Sequence, residues 1–183
     1  FFLKDDVIRK ENEGGLKPIV TKYTGKNILV EHSSPNLFKP FHIGHLMNNI
    51  VGMFVTRATE VSGGNVREMS FPSDVSLGIA KAVYVLLEDK KRTEDSGEDF
   101  YSKMHALDFN KIEYFGEVYR KGVAHFEERP EEIQKAKDIA HIIFGREESE
   151  EVWKLYDWAK EENLKYFITI INGLGSHIDP IAG

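Results

Sequence analysis

The hydrophobic pattern changes period within the first third of the chain. Residues 28–30 (Ile-Leu-Val) are a short apolar run of strand formers, as in a buried parallel strand. The polar stretch 33–40 contains two prolines and therefore predicts a fixed loop. Beyond it, apolar residues recur at three- and four-residue steps and predict a helix over about 43–62 with one apolar face. That face consists of Ile43, Leu46, Met47, Ile50, Val51, Phe54, Val55, Ala58 and Val61. Gly63 and Gly64 predict its end, because glycine adopts the left-handed conformation without a Cβ penalty.

A second strand is predicted over 65–71, directly after the two glycines. Strand, helix and strand form a βαβ unit, so we predict the start of a Rossmann-like parallel sheet. An apolar-periodic helix follows over about 79–87, and Ser73 or Asp74 is its expected N-cap. The charged stretch 90–99 predicts a loop and a domain boundary.

Only helices are predicted beyond that loop. One helix contains the apolar positions of 112–123, and a second is expected to begin at Pro130, with proline near the first helical position. The longest predicted helix spans about 149–171. The second part of the chain therefore predicts a helical unit attached to the sheet.

The loop before the first helix carries the candidate chemistry. Open α/β sheets bind ligands where a loop leaves the carboxyl end of a strand, and a helix N-terminus favours phosphate. His42 and His45 are three residues apart, hence on one helical face, and imidazoles can donate to phosphate oxygens. Gly44 leaves room for a flat base, and Lys39 adds a mobile cation. The structural alternative is a histidine pair that only stabilises the start of the helix.

Composition narrows the classes of function. The chain has 183 residues with 41% hydrophobic content, enough for one core and an appended helical unit. Its net charge of −6 argues against a basic module that binds nucleic acid by charge alone. It has no cysteine, and its seven histidines lack zinc-site spacing, so we expect no metal site. Because no apolar run reaches eighteen residues, we expect no membrane span.

The segment His42-Ile43-Gly44-His45 resembles the HIGH tetrapeptide of class I aminoacyl-tRNA synthetases. The longer string from Val30 to Leu46 resembles the arginyl-tRNA synthetase version, roughly V-E-x-S-S-P-N-x-x-K-P-x-H-x-G-H-L. Nucleotidyltransferases of the same superfamily share H-x-G-H alone, whereas the preceding S-S-P-N-x-x-K-P makes the match specific. The resemblance is specific over about 27–81 and loose afterward.

The resemblance implies an α/β fold: a Rossmann-like parallel sheet of the HUP type that begins a nucleotide-binding domain, with a mostly helical insertion. Four segments are then expected along the chain. Residues 1–26 would end a preceding N-terminal domain and its linker, and 27–95 would form the first half of the catalytic domain. Residues 96–174 would be the helical insertion, and 175–183 the return toward the catalytic domain. We expect a piece of a longer protein, because the chain begins without Met and ends in a predicted loop.

The resemblance also implies an arginine–tRNA ligase. The carboxylate of arginine would attack the α-phosphate of ATP to form arginyl-adenylate, and arginine would then pass to tRNA(Arg). By the resemblance His42, His45 and Lys39 are catalytic and, together with Gly44, bind ATP. Catalysis of this kind is mostly positioning and charge neutralisation. Mg²⁺ would arrive with ATP. A cytoplasmic monomer without membrane contact is expected.

The arginine pocket is implied by the same resemblance to include Glu31, Ser33, Asn36 and His42. A carboxylate such as that of Glu31 can bind a guanidinium bidentately, which an ammonium cannot reproduce. Asp74 lies in a segment that resembles the family's second marker, N-x-x-G-D-[WV]-G, and is either an active-site wall or a helix cap. Ser73 and Ser76 stand where the family usually has glycine.

The family's KMSKS loop does not occur in this sequence, so we expect the chain to be inactive alone. Two alternatives stay open. The first is another class I synthetase or an H-x-G-H nucleotidyltransferase, which competition by arginine against other amino acids would separate. The second is a non-catalytic fragment that binds tRNA or a partner, which would bind tRNA without binding an adenylate.

Overall fold

The computed structural model describes residues 6, 21–72, 75–107, 111–146 and 149–178. Two strands and six α-helices occur in this part of the chain, in the order β1, α1, β2, then α2 to α6. They are β1 (Asn27–Glu31), α1 (Ile43–Val61), β2 (Asn65–Met69), α2 (Leu77–Asp95), α3 (Phe100–Ala106), α4 (Lys111–Glu128), a 3-10 turn (Pro130–Glu132), α5 (Ile133–Gly145) and α6 (Glu150–Gly173). The predicted α/β class, a parallel sheet followed by helices, is confirmed.

The predicted βαβ unit is present. The two strands pair in parallel, with Asn27 opposite Asn65 and Glu31 opposite Met69, and α1 connects them. The predicted glycine stop is also confirmed, since Gly63 follows α1 with a φ of 89° and its N–H bonds the carbonyl of Glu60 at 2.9 Å. This unit therefore brings the loop 32–42 out at the carboxyl end of β1.

The face of α1 that packs on the strands is not its apolar face. The residues buried on this helix are Asn49, Gly52 and Thr56. Ile43 and Phe54 of the apolar stripe are each 72% exposed. The periodicity thus predicts the helix correctly, but the small and polar positions make the contact because Gly52 lets the ring of His32 approach the helix axis.

The main hydrophobic core lies among the helices, with α2 at its centre. Ile79, Val83 and Leu86 of α2 are buried against α4, α5 and α6. Leu37 and Phe38 of the loop are also fully buried in this core. The loop that carries the candidate chemistry is therefore anchored on the helical part of the molecule as well as on β1.

Two predictions about α2 are wrong. Its N-cap is Ser76, whose hydroxyl accepts from the Ile79 N–H at 3.2 Å; Ser73 and Asp74, the expected caps, lie outside the described residues. The charged stretch 90–99, predicted as a loop, is helical as far as Asp95. Lys90 explains this, because it bonds Glu94 one turn along and Glu151 on α6, each at 2.8 Å.

The other helices differ from expectation in smaller ways. The sequence pattern does not predict helix α3, and Pro130 opens a 3-10 turn before α5 begins at Ile133. Helices α4 and α6 cover the predicted positions and extend beyond them. The domain boundaries near residues 26, 95 and 174 stay predictions, and most of 1–26 lies outside the described residues. None of the described helices has the length and apolar character needed to cross a membrane.

Candidate functional site

A cavity of about 300 Å³ lies where the loop after β1 meets the start of α1. It is lined by six of the residues singled out from the sequence: Ser33, Asn36, Lys39, His42, Gly44 and His45. Phe167 and Ile171 of α6 add an apolar wall. The predicted residues of the loop and the helix start thus converge on one concave site.

His42 and His45 build the start of α1. The Nδ1 atom of His42 accepts from the Gly44 N–H at 3.1 Å, and the Nδ1 atom of His45 accepts from the His42 N–H at 3.3 Å. The two rings stack with 3.8 Å between their centroids. The structural alternative, a capping role, is therefore realised. Because the cap uses Nδ1 in both rings, Nε2 is the nitrogen left to meet a ligand.

The environment of His45 favours its neutral form. Burial of the ring lowers the pKa of His45, and the charges of His42 and Lys39 lower it further. A neutral imidazole can still donate a hydrogen bond from Nε2 when Nδ1 acts as an acceptor.

We expect His45 to titrate below its ordinary pKa of 6.5. Between the two pKa values the His45 ring is protonated in the unfolded chain and neutral in the folded chain. The free energy of unfolding should therefore fall as the pH drops from 6.5 through the folded pKa. Above pH 6.5 the ring is neutral in both states, so His45 should no longer make stability depend on pH. NMR titration of the ring Hε1 signal measures this, and Lys39→Ala should bring the pKa back toward 6.5. A His45 pKa at or above 6.5 in the wild-type chain would contradict the assignment.

Ser33 is held by its neighbours in a left-handed conformation, with a φ of 55°. Its N–H donates to Oδ1 of Asn48 at 2.6 Å. Its hydroxyl accepts from Nδ2 of Asn49 at 2.9 Å and lies 2.9 Å from Nδ1 of His32. The hydroxyl predicted to contact arginine thus already bonds within the protein, although Ser33 lines the cavity.

The other predicted residues differ in whether they line the cavity. Asn36 is exposed and lines the cavity, whereas Glu31 does not line it; its Oε1 accepts from the Ser34 hydroxyl at 3.0 Å. The Nζ atom of Lys39 lies 4.7 Å from the ring centroid of Tyr119 on α4, a cation–π contact at the cavity wall. The roles assigned to these side chains stay predictions, and Asp74 lies outside the described residues.

Six lining residues were not among the predicted site residues, and three of them, Ser34, Pro35 and Phe41, belong to the signature loop itself. Asn48 follows His45 by three residues, so helical spacing could have flagged it as a neighbour on the same face. Phe167 and Ile171 had no such signal, because the apolar pattern of α6 predicts packing without naming the partner.

Among the described residues, no carboxylate lines the cavity. Within the same ranges, no group of three or more His, Cys, Asp and Glu side chains is arranged to hold a metal ion. The polar groups at the cavity are amides, hydroxyls, imidazoles and the ammonium of Lys39, which suit an anionic or polar organic ligand better than a bare divalent cation.

Comparison with known proteins places this chain in a family. Residues 12–168 match the family model described as tRNA synthetases class I (R), catalytic domain. An arginine–tRNA ligase of Halothermothrix orenii is 29% identical over 161 residues, which cover 87% of this chain and 26% of that protein.

Two further relatives match with similar identity and the same coverage. An arginine–tRNA ligase of Clostridium botulinum (strain Hall) is 30% identical over 160 residues, and one of Encephalitozoon cuniculi is 27% identical over 161. Each match again covers 87% of this chain and 26% of the relative, so the chain spans about a quarter of the length of the curated relatives it matches. The predicted family is thereby confirmed: the chain belongs to the class I tRNA synthetases of the (R) type, within their catalytic domain.

Proposed function

We propose that the cavity at the start of α1 is the part of an arginine–tRNA ligase site that binds ATP and arginine. The observation that carries this proposal is the convergence of Asn36, Lys39, His42, Gly44 and His45 on one cavity, in a chain of this family. The loop leaves the carboxyl end of a parallel strand, which is where open α/β sheets bind nucleotides.

The chemistry is in-line attack of the arginine carboxylate on the α-phosphorus of ATP. A bond forms between a carboxylate oxygen and phosphorus, and pyrophosphate leaves. The Nε2 atoms of His42 and His45 and the N–H groups of the first turn of α1 are the donors that would neutralise charge on the phosphoryl oxygens. No general base is needed, because the carboxylate is already ionised.

The remaining roles follow from the same proposal. ATP would bring Mg²⁺ held by its own phosphates, since the described lining of the cavity offers no carboxylate. Lys39, released from Tyr119, could reach a phosphate, and Asn36 would bind the amino or carboxylate end of arginine, with Ser33 beside it. Glu31 lies outside the lining and would have to turn from the Ser34 hydroxyl to meet the guanidinium. The adenylate then passes its arginine to the terminal ribose of tRNA(Arg) with release of AMP. We assign the whole protein to the cytoplasm as a monomer.

Calorimetric titration with a non-hydrolysable arginyl-adenylate analogue tests the proposal. We expect the arginyl analogue to bind at least about tenfold more tightly than the lysyl analogue, because a guanidinium can bind the proposed Glu31 carboxylate bidentately and an ammonium cannot. Equal binding of several aminoacyl analogues would favour another synthetase or nucleotidyltransferase. Binding of tRNA without either analogue would favour a non-catalytic fragment.

Substitutions locate the binding site. Asn36→Ala and His42→Ala should each weaken the arginyl analogue by about tenfold or more, the effect of losing one hydrogen bond to a charged group. Asn65→Ala at the amino end of β2 and His141→Ala on α5 change exposed residues of the same types outside the cavity lining, and they should bind as the wild type does. Because His42 also caps α1, its variant needs a folding check by circular dichroism. Unchanged affinity in both cavity variants would overturn the site assignment.

A further inference from the structure

The loop that carries Lys39 is seated on the helical part of the molecule. Phe38 is fully buried, and its ring meets that of Phe115 on α4 edge-on at 5.6 Å between centroids. Pro40 lies against Gly116 so closely that a Cβ there would stand 3.1 Å from its ring carbons. Lys39 therefore lies between two loop residues, Phe38 and Pro40, that both pack against α4.

Phe38 adopts a left-handed conformation with a φ of 64°. A bulky aromatic residue rarely takes this conformation, because its Cβ crowds the backbone. Such a residue persists only where its surroundings determine it. The direction in which the chain leaves Phe38, and hence the position of Lys39, depends on the contacts that hold this residue.

Asn163 of α6 provides a hydrogen bond that holds Phe38 in place. Its side chain is fully buried, and its Oδ1 accepts from the Phe38 N–H at 3.1 Å. Its Nδ2 donates to the carbonyl of Ala159 at 2.8 Å, so both ends of the amide are bonded and its orientation is set. The bond joins residues 125 positions apart in the chain.

The next turn of α6 continues the same contact. The hydroxyl of Tyr166 accepts from the Phe41 N–H at 3.3 Å. The ring of Phe167 meets His45 edge-on at 5.6 Å between centroids and lines the cavity. Helix α6 therefore touches the loop on both sides of Lys39 and one of the two stacked histidines.

We propose that Asn163 is a positioning residue for this cavity: through Phe38 it sets the backbone from Lys39 to His42, and with Tyr166 it makes α6 part of the site. The ligand of the cavity rests on the proposed function, whereas the positioning itself does not. Helix α6 thereby fixes the position of the loop on one side of the cavity, in addition to packing against it.

Asn163→Ala tests this in the full chain. We expect amide exchange at Phe38 to accelerate by about tenfold or more, because its N–H loses its acceptor on α6. The ring signals of His42 and His45 should shift, and the arginyl-adenylate analogue should bind about tenfold more weakly. Tyr166→Phe removes one hydroxyl and keeps the ring, so it should shift the His45 signals with a smaller loss of affinity.

Val152→Ala is the matched control, since it removes buried volume from α6 near its other end. It should lower stability but leave the histidine signals and the affinity unchanged. If Asn163→Ala folds and behaves like this control, Asn163 is a packing residue and the proposal is wrong. If Asn163→Ala does not fold, unchanged histidine signals in Tyr166→Phe would overturn it. If the wild type binds no analogue, the proposed function fails, and the exchange and ring signals still decide the positioning.

Discussion

Replacing Gly52 by alanine should lower the free energy of unfolding by about 3 kcal/mol, the upper end of what overpacking usually costs. A Cβ at this position would stand less than 3.0 Å from Cβ, Cγ and Nδ1 of His32. The ring of His32 cannot turn away cheaply, because its Nε2 bonds Glu68 at 3.1 Å and its Nδ1 lies 2.9 Å from the Ser33 hydroxyl. The loss should therefore exceed the roughly 1 kcal/mol that alanine gains as the better helix former. Urea unfolding followed by circular dichroism measures it.

Two further variants isolate the cause. Val51→Ala changes the neighbouring, largely exposed position of α1 and should change stability by less than about 1 kcal/mol. His32→Ala should make Gly52→Ala much less damaging, because the double variant removes the clash that the single variant creates. A single variant as stable as the wild type would show that α1 does not pack on the strands through Gly52. Additive effects of the two substitutions would show that His32 is not the obstacle.

The second large effect is expected at Gly122 of α4. A Cβ there would stand 2.6 Å from the carbonyl carbon of Lys81 on α2. Backbone atoms of a helix cannot move aside as a side-chain tip can, so Gly122→Ala should force α4 away from α2 at the centre of the core. We expect a loss of about 3 kcal/mol or more, or failure to fold, measured by thermal and urea unfolding.

Gly173→Ala is the matched control for that substitution. Gly173 ends α6, and a Cβ there would meet nothing within 4 Å. Alanine should leave stability unchanged or raise it by about 0.5–1 kcal/mol, because it restricts the unfolded chain. If both glycine variants behave alike, close approach of α4 to α2 is not the reason for glycine at position 122.

Short-range features of the site could be predicted from the sequence. The strand, the loop and the helix start follow from a change of period that spans fewer than twenty residues. Gly44, His42 and His45 belong to one helical turn, so their convergence needs only helix geometry. Asn36 and Lys39 reach the same cavity because the loop between them is short.

Long-range features of the site could not be predicted. Phe167 and Ile171 line the cavity although they lie more than 120 residues from the loop, and the apolar period of α6 does not name its partner. The resemblance groups Glu31 with the pocket residues, but Glu31 does not line the cavity, and the Ser34 hydroxyl donates to its carboxylate. The charged stretch after residue 89 is helical as far as Asp95 because Lys90 bonds Glu151 on α6.

By itself the sequence determined the βαβ start, the loop with its signature and the helices that contain 79–87, 112–123 and most of 149–171, because these depend on spacing within a few residues. Tertiary structure alone decided which face of α1 meets the strands: the small residue Gly52 admits His32, while apolar Phe54 stays exposed. It also decided that Asn163 holds Phe38 in a left-handed conformation. Contacts of this kind arise from shape and hydrogen bonding between distant segments, which no local period encodes.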